Sequence, residues 1–349
     1  MFDIQVSKSS SIESVDFENI SFGQVFSDHL FVMDYEDGVW KKGSIQPFGP
    51  MTLNPATMAL HYGQSIFEGM KAYRQPDGGV SMFRPGDNIN RFNFSAARMC
   101  MPEVPEETFM QALVELIQLD KAWVPNNENS SLYIRPFLFA TDAHVGVRPS
   151  HSYRFIIFTC PVGKYYDKPV KVKVEFNYTR AAIGGTGAAK ASGNYAGSLY
   201  PTKLAHDQGY DQLLWTDAKS HTCIEECGTM NAAFVIKDQM IVPAISDTVL
   251  AGITRDSAIK LAQDLGIDVV SRTVTVAELE EAAKNGTLNE AFGLGTAATV
   301  SLMSTIGFKE WDFELPDPAT FKIAHKIKNA LDSVRLGTGE DVHGWNIPV

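Results

Sequence analysis

The pattern of apolar and polar positions in the first half of the chain indicates short strands joined by tight turns. An apolar run at 31–33 leads to Asp37-Gly38 and then to Val39-Trp40, and Asp-Gly between two such runs is typical of a β-hairpin. A second hairpin is indicated around Pro76-Asp77-Gly78-Gly79. The strands that the pattern predicts here are 31–33, 39–40, 71–73, 80–83, 131–140 and 153–160.

Two helices are predicted between these strands. The first is capped by Asp87 and runs through Arg98. The second, at 105–122, is amphipathic, because its large apolar residues recur at helical spacing. These residues are Phe109, Leu113, Leu116 and Ile117. The Ser-rich segment 1–20 is interpreted as a tail or an edge strand.

The residue composition changes at 161–169, where two prolines and a glycine flank a polar stretch. We interpret this segment as an interdomain connection. The strands predicted after it are 170–178, 212–215, 231–236 and 240–242. One predicted helix ends at 206, and three more cover 252–265, 277–283 and 318–331. Hairpins outnumber β-α-β units in the first half, which favours an α+β fold over a doubly wound sheet. The predicted organisation is a small N-terminal domain 1–163, a linker 164–170 and a larger domain 171–349.

Composition narrows the classes of function. The 349 residues have a formal net charge of −11, which argues against nucleic acid or an anionic membrane as the main partner. No apolar run approaches the roughly 20 residues of a membrane helix. The histidines and the four cysteines show no metal-binding spacing, so no metal site is predicted. The N-terminus is acidic and lacks an apolar secretory segment, and we expect a cytoplasmic protein.

A glycine- and alanine-rich loop at 184–195 is the most conspicuous candidate for chemistry. It contains Lys190 but matches neither of two familiar glycine motifs. Ala189 and Ala191 are wrong for the phosphate-binding loop, and Lys190 itself stands where the dinucleotide fingerprint needs glycine or alanine. A lysine among small apolar residues can be desolvated, and its amine is then a nucleophile at neutral pH. The alternative is an ordinary solvated loop lysine.

Several other residues suggest chemistry but have ordinary structural interpretations when taken singly. Glu226 comes just before a buried-looking strand, where a carboxylate needs a partner. Ile253 and Thr254 open a helix, and free N–H groups at such a position bind phosphate. Arg135 lies in an otherwise apolar strand and must be solvated or paired. The remaining candidates are Arg91 on the first helix, the turn Thr296-Ala297, and Tyr62 and Phe67, which could equally be core.

Taken together and in this order, these segments resemble the branched-chain amino acid aminotransferases, which are pyridoxal-phosphate enzymes of fold-type IV. The stretches that carry the resemblance are His61–Gly69, Arg84–Arg98, Leu132–Pro136, Gly184–Tyr195, Glu226–Asn231, Gly252–Arg255 and Gly295–Ala297. The resemblance implies a two-domain α+β fold with a small α/β domain and a larger pseudo-barrel domain. It also implies a homodimer.

The resemblance assigns roles to individual residues. It implies that Lys190 forms the Schiff base with pyridoxal 5'-phosphate, that Glu226 contacts the pyridine nitrogen and that Tyr195 contacts the ring hydroxyl. The residues implied to hold the phosphate are Arg91, Ile253, Thr254 and Thr296. The residues implied to bind substrate are Tyr62, Phe67, Tyr133, Arg135, Tyr165, Thr229 and Ala297.

The activity implied is reversible amino transfer between L-leucine, L-isoleucine or L-valine and 2-oxoglutarate, with Lys190 as the proton shuttle. The substrates are therefore small amino and 2-oxo acids. A D-amino acid aminotransferase and an aminodeoxychorismate lyase are related alternatives, and a nucleotide-phosphate-binding protein is an unrelated one. Some family members carry Cys-x-x-Cys after the turn at Thr296-Ala297, but this chain has no cysteine there, which excludes a thiol switch at that place.

Overall fold

The computed structural model describes residues 2–127, 130–163, 165–166 and 168–349. These residues form two compact units. The first comprises the chain up to Tyr165 together with Ala189–Gly193 and Ser333–Val349, and the second comprises Tyr166–Ala188 and Asn194–Asp332. The domain limits 1–163 and 171–349 stay a prediction, and Lys164 and Asp167 of the predicted linker lie outside the described residues.

Twenty strands and seven α-helices are found in the described part of the chain. The strands are β1 (Asp3–Ile4), β2 (His29–Glu36), β3 (Val39–Trp40), β4 (Ser44–Pro47), β5 (Ser65–Phe67), β6 (Met70–Arg74), β7 (Val80–Phe83), β8 (Ser131–Ala140), β9 (Tyr153–Val162), β10 (Val170–Val174), β11 (Gln212–Thr216), β12 (Cys223–Cys227), β13 (Met230–Ile236), β14 (Gln239–Pro243), β15 (Val269–Arg272), β16 (Val274–Thr275), β17 (Leu288–Gly295), β18 (Thr299–Gly307), β19 (Asp312–Glu314) and β20 (Asn346–Pro348). The helices are α1 (Met58–Tyr62), α2 (Pro85–Arg98), α3 (Glu106–Leu119), α4 (Ser192–Asp207), α5 (Ile253–Asp264), α6 (Val276–Lys284) and α7 (Ile323–Arg335). None of the described helices is both long and apolar enough to pass through a bilayer.

The first unit is built on one sheet with the strand order β1-β4-β2-β9-β8-β6-β7-β20, to which β3 is added beside β2 and β5 beside β8. Both predicted hairpins are confirmed, as β2–β3 and β6–β7. In the first of them Asp37 and Gly38 have φ values of 55° and 78°. Positive φ at both central residues is the geometry that a tight hairpin turn requires.

A single large core lies between this sheet and the helices α2 and α3. Phe92 of α2, Phe109 of α3 and Phe155 of β9 are fully buried and contact one another through their rings. The apolar face predicted for α3 is confirmed, because Leu113, Leu116 and Ile117 are fully buried as well. This core fixes α2 against the sheet, and α2 carries several residues of the candidate site.

The predicted beginning of α2 is wrong. The helix begins at Pro85, and its N-cap residue is Arg84, which has a left-handed φ of 54°. Proline favours the first helical position because its fixed φ suits the helix and its missing N–H costs nothing there. Asp87 lies inside the first turn, where its Oδ2 accepts a hydrogen bond of 2.7 Å from Arg84 Nε.

The predicted limits of the C-terminal helix are also wrong. Pro318–Thr320 form a separate 3-10 turn whose N-cap is Asp317. The next residue, Phe321, has extended backbone angles that interrupt the helix, and α7 follows as Ile323–Arg335.

The second unit is built on a sheet that closes on itself. The strand order is β15-β14-β13-β17-β18-β10-β11-β12-β16, and an additional pairing of β12 with β13 closes a ring of six strands. Most pairs are antiparallel, and the parallel pairs are β10–β11, β10–β18 and β14–β15. The α+β prediction is thereby confirmed, and the second unit contains the barrel that the resemblance implied.

A buried carboxylate holds the beginning of α7 in the second unit. Glu290 of β17 is 5% exposed, and it accepts hydrogen bonds of 2.6, 2.9 and 2.8 Å from the backbone N–H groups of Lys322, Ile323 and Ala324. These N–H groups have no partner within the helix. The carboxylate therefore supplies the partners and opposes the positive end of the helix dipole.

Glu290→Ala is expected to lower the free energy of unfolding by roughly 2–4 kcal/mol, because three backbone N–H groups at the beginning of α7 lose a charged acceptor. Chemical denaturation monitored by circular dichroism measures the change. Glu310→Ala removes an exposed carboxylate and should change stability by less than about 0.5 kcal/mol. Equal stability of the two variants would contradict the assigned role of Glu290.

Candidate functional site

Lys190 belongs to the first unit, where its backbone is held from two sides. Its carbonyl oxygen accepts a 3.1 Å hydrogen bond from the N–H of Phe67, and its own N–H donates to Ser95 Oγ at 2.9 Å. The next residue, Ala191, pairs with Ile66 of β5. The Lys190 Nζ lies 4.9 Å from the centroid of the Phe67 ring. The lysine is therefore fixed by the fold and is not an ordinary solvated loop residue.

Next to Phe67 is a buried ion pair that the sequence analysis did not identify. Glu68 is fully buried, and Arg91 binds both of its carboxylate oxygens, through Nε at 2.7 Å and Nη2 at 2.9 Å. Oε2 also accepts from Asn88 Nδ2 at 2.7 Å and from the N–H of Gly69 at 3.0 Å. Burial alone would raise the pKa of Glu68, but the Arg91 guanidinium, the Lys190 ammonium and the Asn88 amide outweigh burial and hold that pKa below its usual value.

Three of the predicted substrate-binding residues lie together in the first unit. Arg135 Nη2 donates to the Tyr133 hydroxyl at 2.9 Å, and its guanidinium carbon lies 4.6 Å from the centroid of the Phe67 ring. Gly69 leaves the space that Tyr133 occupies, since a Cβ at this position would overlap the Tyr133 hydroxyl. Phe67 thus has two cationic groups within 5 Å of its ring centroid, the Lys190 ammonium and the Arg135 guanidinium.

The other two predicted residues of this unit are placed differently. Tyr165 joins the group indirectly, because Phe22 lies 5.0 Å from Tyr165 and 5.0 Å from Tyr133, measured between ring centroids. Tyr165 is 38% exposed, and its partial burial, together with the nearby Tyr133, raises the pKa of its phenol. Tyr62 ends α1, is 38% exposed and has its ring 6.1 Å from that of His61. The described contacts join Tyr165 to the group and leave Tyr62 at an exposed helix end.

In the second unit, Glu226 lies in the strand β12 and not before a strand, as the sequence had suggested. It pairs with Trp215 of β11 on one side and with Asn231 of β13 on the other, and it is 3% exposed. Two adjacent glutamates in a five-residue strand obscure the alternation that normally reveals a strand. Successive residues of a strand point to opposite faces, so Glu226 and Glu225 face different surroundings.

The Glu226 carboxylate is held by three groups of its own unit. Oε1 accepts from the N–H of Leu250 at 2.6 Å and from Asn231 Nδ2 at 3.4 Å. Oε2 forms an ion pair of 3.0 Å with the nearly buried Arg180 Nε. Arg180 Nη2 also donates to the carbonyl oxygen of Gly187 at 3.2 Å. One guanidinium therefore holds both the carboxylate and the glycine-rich loop.

The N-terminus of α5 adjoins this carboxylate. Asn231 Nδ2 donates to the carbonyl oxygen of Leu250 at 2.9 Å, and a Cβ on the N-cap residue Gly252 would overlap the Asn231 amide oxygen. Among the described residues no side chain caps α5. The first-turn residues Ile253 and Thr254 are buried. The predicted phosphate-binding helix start and Glu226 thus belong to one cluster.

The turn at Thr296-Ala297 joins β17 to β18 close to the same place. Glu226 pairs with Asn231, which in turn pairs with Leu294, and Gly295 pairs with Thr299 across the turn. With strands about 4.8 Å apart, Leu294 lies roughly 10 Å from Glu226. The register therefore brings the turn and the carboxylate to one end of the barrel.

The remaining predicted residues of the second unit are Tyr195 and Thr229. Tyr195 lies half-buried near the beginning of α4. Its neighbour Asn194 is fixed by two hydrogen bonds with Thr186 of the glycine-rich loop, at 2.6 and 2.8 Å. Thr229 is exposed in the tight turn between β12 and β13.

Sequence reasoning missed four residues that contact the candidate residues, namely Glu68, Asn88 and Ser95 in the first unit and Arg180 in the second. A signal existed for two of them. Asn88, Arg91 and Ser95 recur at positions i, i+3 and i+7, which places them on one face of a helix, and the buried amide and hydroxyl on that face required partners. For Glu68 and Arg180 no local pattern indicates the partner, since the contacts are made across the fold.

Comparison with known proteins identifies the family. Residues 65–300 match the model of the amino-transferase class IV family. The branched-chain-amino-acid transaminase 1 of Bacillus subtilis is 43% identical over 342 residues, which is 97% of this chain and 96% of the relative. The branched-chain amino acid aminotransferase structure from Escherichia coli superposes with a TM-score of 0.75 at 26% identity, covering 91% of this chain and 98% of that one.

A third comparison bears on the cofactor. A further branched-chain amino acid aminotransferase, from T.th. and solved with pyridoxamine 5'-phosphate, has a TM-score of 0.73 at 26% identity and covers 90% of this chain and 97% of its own. The resemblance and the fold-type IV architecture inferred from the sequence are confirmed. The chain belongs to the class IV aminotransferases, within the branched-chain amino acid aminotransferases.

Proposed function

We propose that this chain catalyses reversible amino transfer between L-leucine, L-isoleucine or L-valine and 2-oxoglutarate. The observation that carries the proposal is the environment of Lys190, whose backbone is fixed by Phe67 and Ser95 and whose Nζ lies 4.9 Å from the centroid of the Phe67 ring. Family membership supports the same reaction, because the relatives at 41–43% identity are named for branched-chain amino acids.

Pyridoxal 5'-phosphate is the cofactor of this family, and the residues of the chain suit it. The buried, ion-paired carboxylate of Glu226 is the acceptor that a protonated pyridine nitrogen needs. The start of α5, which no described side chain caps, offers N–H groups to a phosphate. When bound, the cofactor supplies an electron sink for the substrate carbon.

Lys190 has two tasks in this proposal. Its Nζ holds the cofactor covalently between turnovers. In the amino transfer itself, the same Nζ would serve as the proton carrier, taking the proton from the substrate Cα as a general base and donating it to the cofactor carbon as a general acid. Glu226 keeps the ring nitrogen protonated, and Tyr195 contacts the ring hydroxyl.

The phosphate is held in this proposal by one side chain and by backbone amides. Arg91 contributes a guanidinium, which forms two hydrogen bonds with the carboxylate of Glu68. The amides come from the first turn of α5, at Ile253 and Thr254, and from the turn at Thr296. Fixed donors of this kind need no rearrangement when charge develops nearby.

The substrate-binding residues must accept both apolar and anionic side chains. Phe67 and Tyr133 supply apolar surface, and Arg135 supplies a cation for the distal carboxylate of glutamate. Arg135 lies next to the Tyr133 hydroxyl, so one small group of residues can serve both substrates. Tyr62, Tyr165, Thr229 and the Ala297 amide complete the proposed set.

A homodimer and a cytoplasmic location are part of the proposal. Leu199 and Tyr200 on α4 are 69% and 60% exposed, and Tyr200 packs against Tyr178 at 5.7 Å between ring centroids. An apolar surface of this kind supports burial against a second copy. All four cysteines are free thiols, which fits a reducing compartment.

The first test is the visible absorption spectrum of the holoenzyme before and after L-leucine is added. The cofactor band should bleach with L-leucine and not with D-alanine. Lys190→Ala should reduce turnover by at least about 1,000-fold, because it removes both the covalent link and the proton carrier. The matched control is Lys284→Ala on the exposed face of α6, which should behave as wild type. Full turnover in Lys190→Ala would exclude the mechanism.

Glu226→Gln should lower kcat on the order of 100-fold, while the cofactor is still retained, because its role is electrostatic. Single-turnover kinetics with L-leucine and equilibrium dialysis of the cofactor measure the two effects. Glu225→Gln changes the neighbouring carboxylate, which faces Thr248 instead, and should alter kcat less than about threefold. If the two variants have the same rate, Glu226 does not have this role.

Arg135→Ala should reduce kcat/KM for glutamate by roughly 10- to 100-fold and that for leucine much less, because only glutamate carries a distal carboxylate to pair. Steady-state kinetics with both amino acids provide the comparison. Arg135→Lys keeps the charge and should recover part of the activity with glutamate. Equal losses for both substrates would remove Arg135 from this role.

A further inference from the structure

Glu68 is the most completely buried carboxylate of the candidate site, and neither the resemblance nor the proposed mechanism gives it a role. Its two oxygens accept from four donors, which belong to Arg91, Asn88 and Gly69. Its own N–H donates to the carbonyl oxygen of Pro136 at 2.8 Å. A carboxylate so fully satisfied is held in one position and stays ionised.

The helix α2 presents the matching polar face. Asn88 and Arg91 bind Glu68 directly, and Ser95 accepts from the backbone of Lys190 at 2.9 Å while donating to the carbonyl oxygen of Arg91. Asn88 is 2% exposed and Ser95 fully buried. One helix face therefore connects the carboxylate, the guanidinium and the lysine backbone.

Two cations face this single carboxylate. Arg91 binds it through two hydrogen bonds. Lys190 is held beside it, because its carbonyl oxygen accepts a 3.1 Å hydrogen bond from Phe67, the residue before Glu68, and its Nζ lies 4.9 Å from the centroid of the Phe67 ring. The Lys190 ammonium also lowers the pKa of Glu68 through its charge. The amide of Asn88 is the remaining group that lowers the pKa of Glu68. By reciprocity, the ionised carboxylate stabilises positive charge on the Lys190 nitrogen and fixes the plane of the Arg91 guanidinium.

We propose that Glu68 is a positioning residue of the aminotransferase site: it orients Arg91 for the cofactor phosphate and stabilises positive charge on the Lys190 nitrogen. This inference rests on the proposed function, because it requires that Lys190 binds the cofactor. Glu68 acts through its two neighbours and does not itself contact the reacting atoms.

The test is a pH titration of the visible absorption band of the holoenzyme. In Glu68→Gln the titration midpoint should fall by about one pH unit, because the protonated nitrogen of the Lys190 linkage loses its neighbouring anion. Glu68→Asp keeps the charge with one methylene less, and its midpoint should stay within about 0.3 pH unit of wild type. A purely structural role would not separate the two variants in this way.

Asp34→Asn is the matched control. Asp34 is bound by Arg154 with the same geometry, through Nε at 2.7 Å and Nη2 at 2.9 Å, but it lies on β2 and has no proposed role in the site. The midpoint of the pH titration of Asp34→Asn should equal that of wild type. Circular dichroism of each variant verifies the fold before titration.

The outcomes distinguish the two proposals. If wild-type protein incubated with pyridoxal phosphate develops no visible band, the proposed function fails and this inference fails with it. If wild type titrates and folded Glu68→Gln titrates at the same pH, the role of Glu68 alone is wrong. An equal downward shift in Asp34→Asn would also overturn it. If Glu68→Gln does not fold, the test rests on Glu68→Asp. A shift of about one pH unit in the titration midpoint of Glu68→Asp, despite its retained charge, contradicts the inference.

Discussion

The candidate residues of both units depend on the requirement that a buried charge be paired. Removing an ion from water costs far more than one ordinary contact returns, unless an opposite charge and hydrogen bonds compensate for it. Among the candidate residues, one pair in each unit meets this requirement: Glu68 with Arg91 in the first and Glu226 with Arg180 in the second. In each pair one member has a proposed role toward the cofactor, and the other keeps that member charged and oriented.

The supporting contacts follow from these two pairs. Asn88 completes the hydrogen bonds of Glu68, and Asn231 does so for Glu226 while also binding the loop before α5. Close approach then limits the neighbouring positions to glycine. Gly252 lies against the Asn231 amide, just as Gly69 lies against the Tyr133 hydroxyl. Substitution at either glycine would disturb the site through the side chain that it touches.

Patterns along the chain were sufficient where local chemistry decides the structure. The Asp37-Gly38 turn and the buried face of α3 follow from turn geometry and helical spacing, and both were confirmed. The strand β12 was missed because Glu225 and Glu226 stand side by side in it, and the barrel partner that buries only one of them is distant in sequence. The beginning of α2 was misplaced because Asp87 is a good N-cap residue, whereas Pro85 and the pairing of Asp87 with Arg84 determine the actual start.

For the site, resemblance located the residues that face the cofactor and substrate, but it did not provide their counter-ions. Lys190 and Glu226 stand in recognisable segments, whereas Arg180 stands ten positions before the lysine, outside the stretches that carry the resemblance. A counter-ion is identified by proximity in the folded chain, which a single sequence does not record. The sequence nevertheless implies that one exists, because a carboxylate or guanidinium placed in an apolar segment has to be neutralised. Each such residue therefore requires an opposite charge nearby. That opposite charge belongs to the residues that hold the cofactor-facing residues in place.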